Sequence, residues 1–557
     1  MGHPVGVVPL VTGAGHHRGV NTVIVGTGPL SFADVVEVAR AGAVVALAEE
    51  AAAEIAASRK VIETLADDIA PHYGVSTGFG ALATRHIPPE LRAQLQRSLV
   101  RSHAAGSGQE VEAEVIRAMM LLRLSTLATG RTGIRLSTAQ TYVQMLNAGI
   151  TPVVREYGSL GCSGDLAPLA HCALAAMGEG EVRVRAQAGQ PGQRAGGAGP
   201  GAGARMPAAE ALAAAGIEPV VLAEKEGLAL INGTDGMLGM LVLAAADLRA
   251  LLKTADITAA MSVEALLGTD APFAADLQAL RPHPGQAASA ANMRSLLASS
   301  PVVASHKGPE DTRVQDAYSL RCSPQVHGAA RDTLAHAETV ADRELASAID
   351  NPVVTLDGRV VSNGNFHGAP VGYVLDFLAI VVADLASIAE RRTDRMLDAH
   401  RSHGLPPFLA DDPGVDSGHM IAQYTSAGIV SELKRLAAPA SVDSIPSSAM
   451  QEDHVSMGWS AARKLRRCVD GLTRVLAVEL LTAARALDLR APLTPGAATG
   501  AVVAGLRGGD DTGPGARPGV AGPGTDRYPS PEIEAAVTYV ASGAAVRAAE
   551  AAVGALQ

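Results

Sequence analysis

The sequence predicts a mainly α fold: an elongated bundle of long antiparallel helices, with a smaller mixed N-terminal part that carries Gly-rich loops. Two observations support this prediction. Of the 557 residues, 48% are hydrophobic but only 3% are aromatic, so small side chains must fill a large core, as packed helices allow. Long helical patterns also recur beyond Leu228, separated by Gly and Pro and with few strand signals between them.

The chain begins with mixed signals. Residues 1–21 lack the positive n-region of a signal peptide, and we expect them to form a disordered extension. The run "NTVIVG" is β-like, and Ser31 with Asp34 predicts an N-cap for a helix over "FADVVEVARAG". A longer helix is predicted from Val45 to Asp67. Glycines and a Pro pair in "HYGVSTGFGALATRHIPPE" then predict an exposed loop.

The N-terminal part is predicted to span residues 22–240. Apolar residues recur at helical spacing from Leu91 to Ala148, with Gly130 and Gly133 interrupting them. The irregular stretch "GSLGCSGDLAPLAH" follows. Residues 186–206 have the low complexity of a flexible surface insertion.

The long-helix bundle is predicted over residues 241–557, as part of the same unit. A second Gly/Pro-rich stretch, from Gly505 to Gly524, separates the last helix pair. The long helices are predicted over Met237–Ala265, Thr333–Ala348, Val371–Leu397, His419–Ala437 and Trp459–Leu489.

Composition excludes several classes of function. The net charge is −11, and no Lys or Arg run forms a phosphate-binding stripe, so nucleic acid is not an expected partner. The 4 cysteines stand singly without Cys-x-x-Cys spacing, which argues against a disulfide framework or a zinc knuckle and favours a reducing cytoplasm. The longest apolar runs fall short of the roughly 20 residues that a membrane-spanning helix needs. We therefore expect a soluble, cytoplasmic protein.

Common catalytic motifs do not fit. "GFGALA" matches a dinucleotide-binding fingerprint in letters, but it follows a Pro-containing break and not a strand. "DDPGVDSGH" does not have the spacing of a calcium loop, and "GCSG" does not have that of a serine-hydrolase elbow. We find no P-loop and no His-Glu-x-x-His zinc pair, and no metal is expected.

Six stretches in order point to one family. They are "YGVSTGFG" (73–80), "GSLGCSGDLAPLAH" (158–171), "EGLALINGTDGM" (226–237), "VQDAYSLRCSPQ" (314–325), "DNPVV" with "SNGNFHGAPV" (350–371) and "SIPSSAMQEDHVSM" (444–457). Together they resemble the aromatic amino-acid ammonia-lyases, the histidine branch most closely. The resemblance runs from about Thr22 to the C-terminal helices, without the insertion over 186–206.

The resemblance implies a methylidene-imidazolone made from the chain itself, and no dissociable cofactor. The family usually builds this group from Ala-Ser-Gly, and here Cys162-Ser163-Gly164 stands in that place. The Gly164 nitrogen would attack the Cys162 carbonyl carbon, and loss of water from Ser163 would leave the exocyclic methylidene. Cys162 contributes only its carbonyl, so Cys in place of Ala should leave the reaction possible. The group captures an amine, which turns a poor leaving group into a better one.

The resemblance also assigns roles to side chains. Tyr73 matches the base that removes the β-proton, which requires a site that favours its ionised form. Arg321 matches the residue that holds the substrate carboxylate. Asn232 and Gln315 line the prosthetic group and the amino-acid end of the substrate, while Tyr318 and Phe366 shape the pocket. Gln325 and Asn365 are further candidates.

The implied substrate is L-histidine, converted to trans-urocanate and ammonia in the first step of histidine degradation. Ser102-His103 resembles the histidine-lyase pair, and both His103 and Glu452 can hydrogen-bond an imidazole. A tyrosine aminomutase or tyrosine ammonia-lyase with the same electrophile is the alternative, because aminomutases can also carry a Ser-His pair. A non-catalytic helical scaffold is a third reading. The family further implies a homotetramer in which each active site takes residues from three chains.

Overall fold

A computed structural model describes residues 22–68, 70–78, 80–82, 84–185, 203–309, 311, 314–509 and 517–557. The predicted disordered extension over residues 1–21 and residues 186–202 of the predicted insertion lie outside this part of the chain. The described residues form two compact units. Unit 1 contains the described residues up to Leu243, with Glu338–Leu375 and Ala440–Arg463. Unit 2 contains Ala244–Ala337, Asp376–Pro439 and Lys464–Gln557.

Unit 1 combines helices of moderate length with short strands. Its own α-helices are Phe32–Val36, Glu49–Ala66, Pro89–His103, Ala113–Ala128, Leu136–Asn147, Leu166–Ala176, Ala208–Ala214 and Glu226–Ile231. Its strands are Thr22–Val25, Val44–Leu47, Ser107–Glu110, Ile150–Pro152, Arg155–Tyr157, Glu181–Val184, Ala204–Pro207, Val353–Val354 and Val360–Val361. They pair in sheets of two or three strands, so the mixed character predicted for the N-terminal part is present here.

The first elements form a β-α-β unit. Thr22–Val25 pairs in parallel with Val44–Leu47, and the helix Phe32–Val36 with a π-helical turn over Glu37–Ala41 makes the crossover. The predicted capping box is confirmed, since the Ser31 hydroxyl accepts from the Asp34 amide at 3.2 Å. The helix predicted from Val45 is wrong in its first residues, because they complete this sheet and the helix begins at Glu49.

Unit 2 and the long helices confirm the predicted mainly α class. Helices that lie wholly in unit 2 are Ala275–Ala279, Pro284–Leu296, Pro301–Ala304, Tyr318–Arg321, Met420–Leu436, Ala497–Gly508, Ser530–Ala541 and Ala544–Val553. The long helices that contribute residues to both units are Asp235–Ala265, Ser323–Leu345, Ala369–Leu397 and Gly458–Asp488. Single turns of 3-10 helix lie at Gly80–Leu82, Ala271–Phe273, Pro407–Leu409 and Ser448–Met450.

Most long-helix boundaries fall within two residues of the prediction. The exception is Ser323–Leu345, which starts ten residues before the predicted Thr333 because Pro324 stands in its first turn, where a missing N–H costs nothing. The helix Gly458–Asp488 is buried on every side from Val475 to Leu487, as expected for a core element rich in Ala and Leu.

Three other predictions need correction. The loop predicted as exposed between residues 72 and 90 is buried from Gly74 to Gly78, because its small residues fit against neighbouring segments. Ala204–Pro207, at the end of the predicted insertion, is an edge strand paired with Glu181–Val184. The region from Leu91 to Ala148 also contains a strand, Ser107–Glu110, where Gly106 and Gly108 end the helical pattern.

One described helix is long and apolar enough to cross a membrane. Ala369–Leu397 has a window of mean hydropathy 2.0, of which 61% is buried inside the fold. A mostly buried core helix of a soluble protein can have the same length and apolar composition.

Candidate active site

The Cys162-Ser163-Gly164 tripeptide lies in a tight turn of unit 1 between the strand Arg155–Tyr157 and the helix Leu166–Ala176. Gly161 and Gly164 pair with each other as an isolated bridge and have φ values of +74° and +76°. Ser163 itself has a φ of +50°, a conformation that costs energy for a residue with a side chain. The surrounding structure must therefore hold the turn.

Gly164 is packed against the segment that carries Asn232. It forms a bridge with Gly233, and the Asp165 amide donates to the Gly233 carbonyl at 2.7 Å. A Cβ on Gly164 would lie 1.9 Å from that carbonyl oxygen. The position therefore accepts only glycine, and the backbone of the tripeptide is held against a second backbone segment.

The Asp165 carboxylate fixes the turn from the other side. It accepts from the Ser159 hydroxyl at 2.9 Å and from the Met237 amide at 2.8 Å, at the start of the helix Asp235–Ala265. Burial raises the pKa of this carboxyl to about 7, against the backbone and hydroxyl donors that lower it. The Ser159 hydroxyl also accepts from the Gly161 amide at 3.2 Å. Asp165 and Ser159 were not among the predicted site residues, although both stand inside the quoted motif.

A third support comes from the segment after Glu452. The Ser456 hydroxyl donates to the Gly161 carbonyl at 3.1 Å, and the Met457 amide donates to the Leu160 carbonyl at 2.9 Å. Sequence reasoning missed Ser456, whose motif was recognised only through Glu452. The tripeptide turn is thus bonded to two separate segments of unit 1, one around Gly233 and Met237 and the other around Ser456.

The Cys162 thiol is buried and points toward the Ser447–Glu452 hairpin. Its Sγ lies 4.0 Å from the Ser447 hydroxyl, which donates to Glu452 Oε2 at 2.9 Å. Burial, and next the negative charge of Glu452, raise the pKa of the Cys162 thiol to about 12. The thiol is therefore protonated at neutral pH and is a poor nucleophile.

Tyr73 lies in the loop before the turn Gly80–Leu82. The Gly80 amide donates to its phenolic oxygen at 3.3 Å. Burial raises the pKa of Tyr73, and the negative charges of Glu452 and Asp350 raise it further, while the Gly80 hydrogen bond acts in the opposite direction. The described surroundings of unit 1 therefore favour the neutral phenol, which differs from the ionised form that a base requires.

His103 ends the helix Pro89–His103. Its Nδ1 lies 2.9 Å from the Leu99 carbonyl, which can only accept, so Nδ1 carries the proton and Nε2 of the neutral ring is an acceptor. Burial lowers the pKa of His103, whereas the Leu99 hydrogen bond and the charge of Glu452 raise it. Glu452 thus acts electrostatically on Tyr73, His103 and Cys162, which shows that these side chains are brought together.

Asn232 is buried at the end of the helix Glu226–Ile231 and directly precedes Gly233. The Asn232 Nδ2 donates to the Asn351 carbonyl at 2.8 Å, and Arg123 Nη1 donates to the backbone carbonyl of Asn232 at 2.6 Å. The Asn232 Oδ1 is buried without a hydrogen-bond partner. An unsatisfied buried acceptor beside the tripeptide is available to a ligand donor.

Phe366 is half-buried in the loop that precedes the helix Ala369–Leu397, and Asn365 in the same loop is exposed. The next residue, His367, stacks on His454 with ring centroids 5.4 Å apart, and their facing nitrogens are separated by 3.3 Å. Because His454 follows Glu452 by two residues, this contact joins the Phe366 loop to the Glu452 segment.

The remaining predicted residues lie in unit 2. Gln315, Tyr318 and Arg321 line a cavity of about 370 Å³ together with Arg395 and other side chains. The Arg321 guanidinium stacks on the Tyr318 ring at 4.8 Å, and its Nε is buried without a hydrogen-bond partner. Gln325 lines a neighbouring cavity that also includes Gln315 and Arg321. The carboxylate-binding candidates therefore form a cluster of their own.

The described residues include no group of three or more His, Cys, Asp or Glu side chains that could hold a metal ion.

Known proteins match nearly the whole chain. The profile of the aromatic amino acid lyase family matches residues 30–508. The chain is 63% identical over 538 residues to a histidine ammonia-lyase of Streptomyces coelicolor. The aligned region covers 97% of this chain and 100% of that protein.

Two solved structures show the same fold. A tyrosine aminomutase from Streptomyces globisporus has a TM-score of 0.84 and 37% identity, over 96% of this chain and 100% of that one. A histidine ammonia-lyase from Trypanosoma cruzi has a TM-score of 0.83 and 37% identity, over 96% of each chain. From its sequence and from its fold alike, the chain belongs to the aromatic amino acid lyase family.

Proposed function

We propose that the protein is a carbon-nitrogen lyase that eliminates ammonia from L-histidine to give trans-urocanate. The observation that carries the proposal is the 63% identity to proteins named histidine ammonia-lyase, over nearly the full length of both chains. The cluster of unit 1 is consistent with an imidazole substrate, because a neutral imidazole has one ring N–H, which either the His103 Nε2 or the Glu452 carboxylate can accept.

The tripeptide fits a methylidene-imidazolone. Ring closure requires the Gly164 nitrogen to approach the Cys162 carbonyl, and the turn between Gly161 and Gly164 already brings the tripeptide into a tight bend with positive φ at Ser163. Glycine at 164 leaves no side chain in the way. When present, the group supplies an electrophile that takes up the substrate amine and makes it a better leaving group. Cys162, Ser163 and Gly164 would form it without any dissociable cofactor.

The other residues act on the substrate. Tyr73 removes the β-proton, and its raised pKa means that the ionised phenol needs a positive charge which the assembled site must add. Arg321 provides a guanidinium that can bind the carboxylate with two parallel hydrogen bonds. Asn232 offers its unsatisfied Oδ1 to a donor such as the substrate ammonium.

The pocket itself is completed by the remaining candidates. Gln315 and Tyr318 line the same cavity as Arg321, and Phe366, in the loop next to the His367–His454 contact, would help to shape the pocket. His103 and Glu452 hold the imidazole ring.

We further propose a homotetramer with shared active sites. Unit 1 of one subunit would supply Tyr73 and the tripeptide, and Arg321 would come from another subunit. Exposed apolar side chains on the helices of unit 2 support an association of this kind, because large apolar residues at 45–63% exposure favour burial against another copy: Phe377, Ile380, Ile421 and Tyr424. With a small amino acid as substrate and no nucleic acid or membrane partner, we place the enzyme in the cytoplasm.

The second candidate function is a tyrosine aminomutase or tyrosine ammonia-lyase. It is retained because the fold matches a tyrosine aminomutase with a TM-score of 0.84, and the same electrophile can serve both reactions. A non-catalytic scaffold is the third and remote candidate, since the strained tripeptide turn has no structural use by itself.

Incubation of the purified protein with L-histidine, followed by urocanate absorbance, tests the proposal. We expect urocanate with L-histidine and no coumarate or β-tyrosine with L-tyrosine. The reverse pattern would overturn the proposal in favour of the tyrosine enzymes. Turnover of neither substrate, with an intact mass that shows no loss of water, would favour the scaffold.

A further inference from the structure

Tyr318 and Arg321 lie on a helix that cannot support itself. Tyr318–Arg321 is a single turn of four residues, and its N-cap residue Ala317 makes no side-chain cap. One turn of helix fixes several dihedrals for one hydrogen bond and is unfavourable in isolation. The conformation that presents Arg321 to the cavity must therefore be imposed by neighbouring groups.

Arg392 is the neighbour that holds this turn. Its Nη1 donates to the Ser319 carbonyl at 3.3 Å and to the Ser323 hydroxyl at 3.3 Å. The Ser323 hydroxyl in turn donates to the Ser319 carbonyl at 3.2 Å. One guanidinium thus binds both the middle of the turn and the start of the following helix.

Arg392 is itself held in one orientation. Its Nε and Nη2 pair with the two oxygens of the Glu479 carboxylate, the second at 3.0 Å, and both side chains are fully buried. Glu479 also accepts from the Thr258 hydroxyl at 2.7 Å and from the Ser262 hydroxyl at 2.8 Å. Four hydrogen bonds satisfy the carboxylate, so the pair has no freedom to rotate.

Stability alone does not account for this pair. Removing two charges from water costs several kcal/mol per ion, and apolar residues of similar volume often give a fold that is equally stable. A planar guanidinium instead supplies geometry, because it can bind a carboxylate on one edge and two further acceptors on another.

We infer that Arg392 and Glu479 are positioning residues for Arg321, which set the orientation of the turn that binds the substrate carboxylate. The inference rests on the proposed function insofar as Arg321 binds a carboxylate. If the contacts of Arg392 with Ser319 and Ser323 are weakened, we expect weaker binding of the substrate carboxylate and little change in the chemistry at the tripeptide.

Ser323→Ala is the sharpest variant, because it removes one contact of Arg392 with the segment and leaves the ion pair intact. Ser289→Ala is the matched control: this serine is also buried in a helix of unit 2, and its hydroxyl donates at 2.6 Å to the buried Asp256 carboxylate. We expect Ser323→Ala to raise KM for L-histidine about fivefold with kcat within about twofold, and Ser289→Ala to leave both unchanged.

Inhibition by imidazole, which has no carboxylate, distinguishes the loss of Arg321 positioning from a general distortion of the active site. Its inhibition constant should be the same in Ser323→Ala and in the parent enzyme. An unchanged KM in Ser323→Ala, or an equal weakening of imidazole binding, would overturn the inference. Arg392→Lys keeps the positive charge but loses the planar guanidinium and its several N–H donors. This variant should raise KM more than Ser323→Ala does, again with a smaller change in kcat.

Hydrogen exchange gives a readout that needs no substrate. The amides from Leu320 to Ser323 should exchange faster in Ser323→Ala and in Arg392→Lys than in Ser289→Ala, as a turn with fewer anchors opens more often. Equal exchange in all three variants would refute the positioning role. If the parent enzyme turns over no histidine, the proposed function fails, while this exchange experiment still decides whether Arg392 holds the turn.

Discussion

The backbone of Gly164 lies against that of Gly233 so closely that a Cβ on Gly164 would be 1.9 Å from the Gly233 carbonyl oxygen and 2.1 Å from its carbon. Both atoms belong to a backbone that is bonded to Asp165 and continues into Asn232, so neither can move aside cheaply. Space therefore restricts this position to glycine, independently of any ring chemistry.

Gly164→Ala should disrupt the turn. We expect a loss of several kcal/mol in the free energy of unfolding and no lyase activity, because the backbone must separate from Gly233. Gly216→Ala is the matched control, since Gly216 has a similar φ of +68° but no atom within 4 Å of its Cβ position. It should cost only about 1–2 kcal/mol for the left-handed conformation. Urea unfolding and histidine turnover of both variants check this, and wild-type activity in Gly164→Ala would contradict it.

Substitutions of Ser163 and of Cys162, the other two residues of the tripeptide, should have opposite effects on activity. Ser163→Ala removes the hydroxyl that is eliminated, so we expect no activity in a folded protein. Cys162→Ala should retain activity, because burial holds the thiol protonated with a pKa of about 12 and only the carbonyl is used. Intact-mass measurement should find the parent and Cys162→Ala lighter by two waters, one from the carbonyl oxygen of residue 162 on ring closure and one from the Ser163 hydroxyl, and Ser163→Ala lighter by none. An inactive Cys162→Ala with the parent's mass loss would assign the thiol a role.

Sequence patterns predicted the long helices well and the site only in part. The boundaries of Gly458–Asp488 follow from a run of Ala and Leu with clear ends. The strand Val44–Leu47 was missed because its partner, Thr22–Val25, is distant in sequence and the apolar run continues into a helix. Strand pairing depends on tertiary contacts that a local pattern does not contain.

The site shows the same limit. Motifs predicted Tyr73, the tripeptide and Glu452 as site residues, and in the structure the charge of Glu452 raises the pKa of Tyr73 and of the Cys162 thiol. Ser456 was not found, because its hydrogen bond to the Gly161 carbonyl joins residues 295 positions apart. The raised pKa of Tyr73 was also beyond local sequence, since it arises from burial and from charges on other segments.

The pH dependence of turnover should reveal the ionisation of the Tyr73 phenol. Burial and two carboxylates raise its pKa, so kcat/KM should increase with pH above neutrality as the phenol ionises. Glu452→Gln removes one of these negative charges and should move that limb to lower pH, although the maximal rate falls. Asp453→Asn, a neighbouring exposed carboxylate, is the control and should leave the limb in place. Tyr73→Phe should abolish turnover; a Tyr73→Phe enzyme with an unchanged profile would exclude Tyr73 as the base.

His419 should make the protein sensitive to mild acid. It is buried in unit 2 beside Thr482, and burial, then the charges of Arg485, Arg507 and Arg527, lower its pKa to about 3. Between that value and the ordinary pKa of about 6.5, the unfolded chain binds a proton that the folded protein does not, so stability falls as the pH falls. From pH 8 to pH 5 this histidine should remove about 2 kcal/mol from the free energy of unfolding.

His419→Gln lacks the titrating group and tests this effect. At pH 8 the variant should be less stable than the parent, because the substituted side chain fits the buried site less well. The gap should narrow by about 2 kcal/mol by pH 5, since only the parent loses the contribution of a neutral imidazole. Urea unfolding at both pH values and a fixed protein concentration measures the gap. A constant gap would mean that His419 binds protons equally in the folded and unfolded states, and that any acid sensitivity comes from other groups.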